Sequence, residues 1–173
     1  MVRHFITTRD YNLMRRVNRW RAPRWFRIWM IAATRAGDGW LWGAMAVIVL
    51  LFGGPVRFRA VGAATLAACA GIIVFLTLKK RIGRQRPCAI EPHVWATLLP
   101  PDHFSFPSGH TITAFAITTV VCLFYPFLTF AMLFIAFSIA LSRIVLGMHF
   151  LSDVLAGALL GIGLAFAAAR LLR

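Results

Sequence analysis

Acidic residues are scarce in this chain. Only five of its 173 residues are Asp or Glu, against 19 Lys or Arg, so the formal net charge is +14. The acidic residues are Asp10, Asp38, Glu91, Asp102 and Asp153, and no two of them are adjacent. A site with two catalytic metal ions needs several clustered carboxylates to hold them. The sequence therefore argues against a metal-dependent mechanism, and we predict no metal site and no cofactor.

Cysteine is also rare. The chain has Cys69, Cys88 and Cys122, which is an odd number, and the first and last of these lie in apolar runs. This pattern fits neither a disulfide framework nor a zinc site. We interpret the cysteines as small buried hydrophobic side chains.

Apolar residues, in contrast, are abundant. They make up 60% of the chain, with a mean hydropathy of +0.77, whereas soluble domains have roughly 45–50%. A length of 173 residues suffices for one domain. The composition predicts an all-α, polytopic membrane helix bundle.

Residues 1–37 form a basic, aromatic segment in which many arginines alternate with Trp20, Trp25, Phe26 and Trp29. This composition is typical of an interfacial helix on anionic lipid, and Pro23 is expected to separate two short helices. The alternative is a solvated leader with no membrane role. Because the basic residues lie mostly outside the apolar runs, we predict anionic headgroups as their partner and no nucleic acid. Residues 38–173 then form the transmembrane domain.

The apolar runs predict about five membrane spans. The stretch from residue 108 to 147 is too long for one helix, because it would extend about 60 Å, twice the hydrocarbon thickness. Tyr125-Pro126 is the natural break within it. The predicted spans are residues 40–54, 60–78, 108–125, 126–147 and 150–169.

Three short polar motifs lie at the ends of these spans. They are Lys79-x6-Arg86-Pro87, Pro107-Ser108-Gly109-His110 and Ser142-Arg143-x5-His149-x3-Asp153. Charged residues are costly within a bilayer, so they are functional candidates by default. Counting the crossings places all three motifs on one side of the membrane, where they are expected to meet.

The third motif carries a candidate nucleophile or base. His149 and Asp153 are four residues apart, which places them on one face of a helix. A carboxylate can accept the proton of one imidazole nitrogen and leave the other nitrogen free to react. The alternative is a purely structural hydrogen bond. Arg143 lies two turns earlier and can point to the same place.

The first two motifs carry candidate phosphate ligands. Ser108 is a good N-cap, Gly109 allows an anion to approach the backbone, and free N–H groups at a helix start bind phosphate. Lys79, Arg84 and Arg86 follow the second span, and Pro87 favours an extended Arg86. For juxtamembrane cations the alternative is ordinary snorkelling, which we assign to the neighbouring Lys80 and Arg81. Together the motifs predict phosphate-ester chemistry on a membrane substrate.

The three motifs resemble the signature motifs of the type 2 phosphatidic acid phosphatase (PAP2) superfamily, over about residues 79–153. The resemblance implies that His149 attacks phosphorus to form a phosphohistidine and that Asp153 orients it. His110 would protonate the leaving oxygen and then activate water. The non-bridging oxygens would be held by a cage that replaces metal ions and consists of Lys79, Arg86, Arg143, Ser108 and the Gly109 N–H.

The implied function is hydrolysis of a lipid phosphate monoester or diphosphate. Candidate substrates are polyprenyl diphosphate, phosphatidylglycerol phosphate, phosphatidic acid and the phosphates of lipid A. The alternatives are a lipid-to-lipid phosphotransferase, a non-enzymatic phospholipid transporter and, least favoured, a haloperoxidase. The 88–106 loop contains His93, Trp95 and His103, and it is a candidate for selecting the lipid headgroup. The alternative is that His93 and His103 are ordinary loop residues with no catalytic part.

The expected location is a bacterial inner membrane, as a multi-pass protein. Many bacterial members of the family have six spans, one more than predicted here. The resemblance puts the site on the periplasmic face, whereas the positive-inside rule keeps the N-terminal arginines, and the site with them, in the cytoplasm. Both orientations stay open, and the sequence does not indicate an oligomeric state.

Overall fold

The computed structural model describes residues 2–91 and 103–172, with side chains from residue 8 onward. Over these residues the regular elements are all helical, and a single isolated bridge joins Gln85 to Phe104. The prediction of an all-α chain is therefore confirmed. The helices are α1 Val2–Arg19, α2 Arg24–Ala36, α3 Trp40–Phe52, α4 Arg57–Ile82, α5 Pro87–Ile90, α6 Gly109–Phe124, α7 Thr129–Val145 and α8 Leu151–Leu172.

Each predicted span corresponds to a helix, but not every one of these helices is long enough to cross a bilayer. Within the described ranges, three helical stretches have the necessary length and apolarity: Gly54–Ile82, Pro126–Val145 and Leu151–Leu172. Helices α2 and α3 have the necessary length and apolarity only if the two together count as one span, which is bent by 64°. Helix α6 has 16 residues, or about 24 Å, which is less than the roughly 30 Å hydrocarbon core. The structure thus confirms the order of helices and gives three candidate spans.

The predicted breaks between helices occur where the turn residues lie. A short 3-10 turn, Gly54–Val56, separates α3 from α4, and Gly54 has a φ of 67°. A second 3-10 turn, Pro126–Leu128, separates α6 from α7. The hydroxyl of Tyr125 donates to the carbonyl of Gly53 at 3.0 Å. This hydrogen bond ties the two turns together at one end of the bundle.

Helix α6 lies in the centre of the bundle, in contact with α4, α7 and α8. Small residues on its neighbours let the backbones approach closely. A Cβ added to Gly161 would lie 2.4 Å from the Ile112 carbonyl oxygen, and one added to Gly157 would lie 2.9 Å from that of Ser108. Gly157 and Gly161 of α8 therefore allow this helix to pack closely against α6. Gly163 differs, because a Cβ there would meet nothing within 4 Å.

The N-terminal segment contains two helices separated at Pro23, as predicted. Helix α2 packs against α7: the ring of Trp29 stacks on that of Phe134 with centroids 5.8 Å apart, and Met30 is fully buried. Its interfacial position and the domain boundary after residue 37 stay predictions. The structure adds that side chains from this segment reach the interior of the bundle.

The prediction of buried cysteines is wrong for Cys69, which is exposed, while Cys88 and Cys122 are half-buried. All three thiols are free. The reason is helical periodicity. Cys69 lies three or four residues from Leu66 and Ile73 on the outer face of α4, and both of those side chains are exposed. An apolar run in a membrane helix therefore does not imply burial within the protein.

Candidate active site

The three motifs meet around one cavity of about 310 Å³. The end of α4, the start of α6, the end of α7 and the segment before α8 form its walls. This arrangement confirms the predicted convergence of the motifs. Six of the eight predicted site residues line it: Lys79, Arg86, Gly109, His110, Arg143 and His149.

The cations reach the cavity because the chain reverses after α4. Gly83 caps this helix in the left-handed region with a φ of 60°, a conformation that favours glycine. Arg86 follows in an extended conformation, as Pro87 predicted, and donates to the Met148 carbonyl at 2.9 Å. The Nζ of Lys79 lies 4.4 Å from the centroid of the Phe75 ring. Both cations are therefore held by the protein before any anion binds.

His149 has the geometry of a neutral nucleophile. Its Nδ1 lies 2.6 Å from the Ser105 carbonyl oxygen, and because a carbonyl can only accept, Nδ1 carries the proton. Its Nε2 lies 3.2 Å from Nη1 of Arg86, whose N–H groups can only donate. Burial lowers the pKa of His149 to about 4, the charges of Arg143 and Arg86 act in the same direction, and Asp153 opposes them. The imidazole is therefore neutral at pH 7, with its lone pair on Nε2.

Asp153 supports His149 differently from the prediction. Its Oδ2 lies 3.7 Å from Nδ1 of His149, which is longer than a hydrogen bond. The proton of Nδ1 goes to the Ser105 carbonyl instead, and Oδ2 accepts from the backbone N–H of Phe150 at 2.8 Å. The carboxylate thus fixes the turn between His149 and α8. Residue types and their spacing could not show a backbone acceptor 44 residues away.

Ser108 does not line the cavity, in contrast to its predicted role as a direct phosphate ligand. It occupies the N-cap position of α6, but its side chain makes no capping hydrogen bond. The side chain is fully buried, and its Oγ accepts from the hydroxyl of Thr111 at 2.9 Å. Gly109 does line the cavity, where a Cβ would lie 3.3 Å from the Phe75 ring. Gly109 and His110, and not the Ser108 side chain, are therefore the residues of this motif that line the cavity.

A charged network that the sequence did not predict lies behind His149. Arg84 donates to Oδ1 of Asp153 and to Oδ2 of Asp10, both at 2.8 Å. The backbone N–H of Ser152 donates to Oδ1 of Asp10 at 3.1 Å. Asp10 is buried although it belongs to the N-terminal helix α1. Arg84 was a candidate phosphate ligand, but it is not among the residues that line the cavity and instead joins two carboxylates.

Thr34 of the N-terminal segment and Asp38, which directly follows that segment, also contact the site. The hydroxyl of Thr34 in α2 accepts a hydrogen bond from Arg143, and Oδ1 of Asp38 lies 2.8 Å from Nε2 of His110. Sequence reasoning missed both. The available signal was the scarcity of acidic residues, which makes each carboxylate of this chain noteworthy. His103 is exposed and does not line the cavity, whereas His93 and Trp95 lie outside the described residues.

We expect Arg84→Ala to destabilise the protein strongly. The substitution leaves two carboxylates, of which Asp10 is 5% and Asp153 0% exposed, without their shared cation. Removing one partner of a buried ion pair typically costs about 3–5 kcal/mol. Thermal unfolding in detergent measures this loss, with the exposed Arg81→Ala as the matched control. An unchanged melting temperature for Arg84→Ala would show that the network does not stabilise the fold.

The sequence also matches a family model. The model of the PAP2 superfamily covers residues 58–173, well over half of the chain. The chain belongs to the PAP2 superfamily. All three motifs, and every residue that was predicted for the site, fall within the matched range.

Known proteins similar to this PAP2 chain include two curated relatives. One is the bacitracin transport permease protein BcrC of Bacillus licheniformis, 40% identical over 77 residues, which are 44% of this chain and 38% of the relative. The other is phosphatidylglycerophosphatase B of Bacillus subtilis, 38% identical over 100 residues, with 51% and 46% of the two chains covered. The matches thus span less than half the length of these relatives.

A solved structure resembles the whole PAP2 fold described here. The crystal structure of Aquifex aeolicus LpxE superposes with a TM-score of 0.78 at 29% sequence identity, covering 92% of this chain and 93% of the other. The similarity therefore extends to the N-terminal helices, which the family model does not cover.

Proposed function

We propose that this PAP2 protein is a metal-independent membrane phosphatase that hydrolyses a phosphate monoester or diphosphate of a lipid. The observation that carries this proposal is the state of His149. It is a buried, neutral imidazole whose Nε2 lies 3.2 Å from Arg86, in the same cavity as Lys79 and Arg143. A binding site for anions needs cations, but it does not need a buried imidazole with an unprotonated nitrogen among them.

In the first step, Lys79, Arg86 and Arg143 bind the non-bridging oxygens of the phosphate, together with the Gly109 N–H. The Nε2 of His149 attacks phosphorus, and the bond from phosphorus to the ester oxygen breaks. His110 gives its proton to that oxygen. The cations stabilise the charge that spreads over the non-bridging oxygens in the transition state, which is the role that metal ions have in many phosphoryl-transfer enzymes.

In the second step, His110 accepts a proton from water, whose oxygen attacks phosphorus. The bond from phosphorus to Nε2 of His149 breaks, and inorganic phosphate leaves with His149 restored. While the phosphohistidine exists, the imidazole has substituents on both nitrogens and carries a positive charge. The Ser105 carbonyl at 2.6 Å and the Asp153 carboxylate at 3.7 Å from Nδ1 both stabilise that charge.

A second cavity supports a lipid as the substrate. It has a volume of about 300 Å³, lies between α3 and α4, and shares Gly39, Trp42 and Thr113 with the phosphate cavity. Its walls are almost entirely apolar, and the small side chains of Ala60, Ala64 and Ala68 leave the space open. We place the apolar tail here. All four lipid classes named in the sequence analysis remain candidate substrates.

We further propose five membrane segments: the bent pair α2–α3, then α4, α6, α7 and α8. The short α6 lies inside the bundle, where its neighbours surround it. Helix α1, with its arginines, lies on the anionic surface of the inner membrane. This arrangement places the phosphate cavity near one interface, where the headgroup of a lipid would enter it. Either orientation of the chain is compatible with it.

The test is phosphate release from a panel of phosphorylated lipids by the purified protein. We expect release from at least one lipid and full activity in EDTA, because the cations of the cavity take the place of metal ions. A loss in EDTA that magnesium restores would contradict the metal-free mechanism. Transfer of labelled phosphate to a second lipid would indicate a phosphotransferase. Binding without any release would indicate a transporter, the class in the name of the Bacillus licheniformis relative.

A further inference from the structure

A carboxylate from outside the matched motifs contacts the second histidine of the site. Oδ1 of Asp38 lies 2.8 Å from Nε2 of His110, and the two side chains are 59% and 25% exposed. Asp38 lies in the bend between α2 and α3, 20 residues before the family match begins at residue 58. Among the described residues that line the cavity, it is the only carboxylate.

The backbone around Asp38 is shaped to hold this contact. A Cβ on Gly37 would lie 2.9 Å from Cδ2 of His110 and 3.1 Å from Cγ2 of Ile139, so a larger residue would displace the ring. Gly39 has a φ of 118°, a conformation that other residues rarely adopt. The indole N–H of Trp40 donates to the Arg35 carbonyl at 2.9 Å and closes the bend. The bend therefore brings the carboxylate against the Cδ2–Nε2 edge of the ring.

The charges around His110 make this carboxylate necessary. The other titratable or charged side chains that line the cavity are Lys79 from α4, Arg86 from the segment after it, Arg143 from α7 and His149. Three of these four are cations, and they repel a protonated imidazole. An opposite charge at hydrogen-bond distance favours the protonated form. A general acid must carry its proton when the substrate arrives.

We propose that Asp38 is a positioning residue that orients His110 and favours its protonated form for proton transfer to the leaving oxygen. This inference rests on the proposed phosphatase function. The imidazolium gives its proton to the ester oxygen as the bond from phosphorus breaks, and it recovers a proton from the attacking water. Asp38 stabilises the charged form before the first transfer and after the second. Because the contact with Asp38 occupies Nε2, the remaining ring nitrogen, Nδ1, is the atom that exchanges the proton in this proposal.

The test compares two substrates in the variant Asp38→Asn. One is an alkyl phosphate, whose leaving oxygen needs a proton, and the other is 4-nitrophenyl phosphate, whose leaving group needs none. The value of kcat/KM depends only on the steps up to and including departure of the leaving group. For the alkyl phosphate we expect kcat/KM to fall about tenfold or more, because a general acid supplies roughly 10²–10⁴-fold in rate. For the aryl phosphate we expect kcat/KM to fall by less than about twofold, since its leaving group needs no proton.

Two further readouts separate this role from a structural one. The basic limb of the pH profile for the alkyl phosphate should move to lower pH by about one unit, because the variant lacks the charge that favours imidazolium. KM should stay equal or fall, since a carboxylate that repels phosphate has been removed.

Two matched variants complete the comparison. Asp38→Glu should recover part of the activity that Asp38→Asn loses. Gly37→Ala should lower kcat without moving the pH limb, because it displaces the ring and leaves the charge in place.

The controls are chosen outside the cavity. Glu91→Gln neutralises a carboxylate that pairs with Arg15 and Tyr11, and Gly163→Ala adds a methyl group in open space. Neither should change activity. Equal losses on both substrates, or an unmoved pH limb in Asp38→Asn, would overturn the inference while leaving the phosphatase proposal standing. An unmutated protein that releases no phosphate from any lipid phosphate would instead refute the proposed function, and this inference with it.

Discussion

His149→Ala is expected to abolish phosphate release from a lipid phosphate, with a loss of at least about 10³-fold in kcat. In the proposed mechanism this side chain supplies the attacking atom, Nε2, which lies 3.2 Å from Nη1 of Arg86. Among the residues that the structure describes, the only other imidazole that lines the cavity is His110, whose Nε2 contacts Asp38. Phosphate release from purified protein measures the loss, and detergent extraction from membranes shows whether insertion persists.

Trapping the intermediate makes this prediction sharper. Labelled lipid phosphate should leave an acid-labile label on the unmutated protein after rapid quenching, and none on His149→Ala. His103→Ala is the matched histidine control, because His103 is exposed and does not line the cavity, and it should retain the label. A label that survives in His149→Ala would place the nucleophile elsewhere. Residual turnover without a label would favour direct attack by water.

Arg143→Ala is expected to lower kcat/KM by about 10²–10³-fold, with KM raised and kcat lowered together. Arg143 is 4% exposed, lines the cavity and is oriented by the Thr34 hydroxyl. In the proposed mechanism it therefore contacts the phosphate in the ground state and also stabilises the additional charge of the transition state. Steady-state kinetics on one lipid phosphate measure both parameters.

The conservative variant distinguishes charge from geometry. Arg143→Lys keeps the positive charge but loses the planar fork of donors, so we expect an intermediate loss. Thr34→Val should give a smaller loss than Arg143→Ala, because it removes only the group that orients the guanidinium. Arg170→Ala, at the far end of α8, is the control with no expected effect. A change in KM alone would show that Arg143 binds the phosphate without stabilising the transition state.

The amino-acid sequence by itself determined the helical class, the order of the helices and the meeting of the three motifs. These properties depend on apolar length and on turn residues such as Tyr125-Pro126, both of which are local. Each crossing reverses the direction of the chain. Because the motifs lie at the ends of spans, counting the crossings predicted that all three would lie on the same side of the membrane. The eight candidate site residues followed from residue chemistry and from the resemblance to the PAP2 superfamily, and six of them line one cavity.

Only the tertiary structure decided how the histidines are held. The acceptor for His149 is the Ser105 carbonyl, and backbone acceptors leave no signal in residue types. Asp10 contacts the side chain of Ser152, 142 residues away, and Asp38 contacts that of His110, 72 residues away. No local sequence pattern links residues so far apart. Packing likewise buries the Ser108 side chain, whose Oγ accepts from Thr111, and leaves it out of the cavity lining. Local periodicity sets the elements, whereas hydrogen-bond partners depend on which elements pack together.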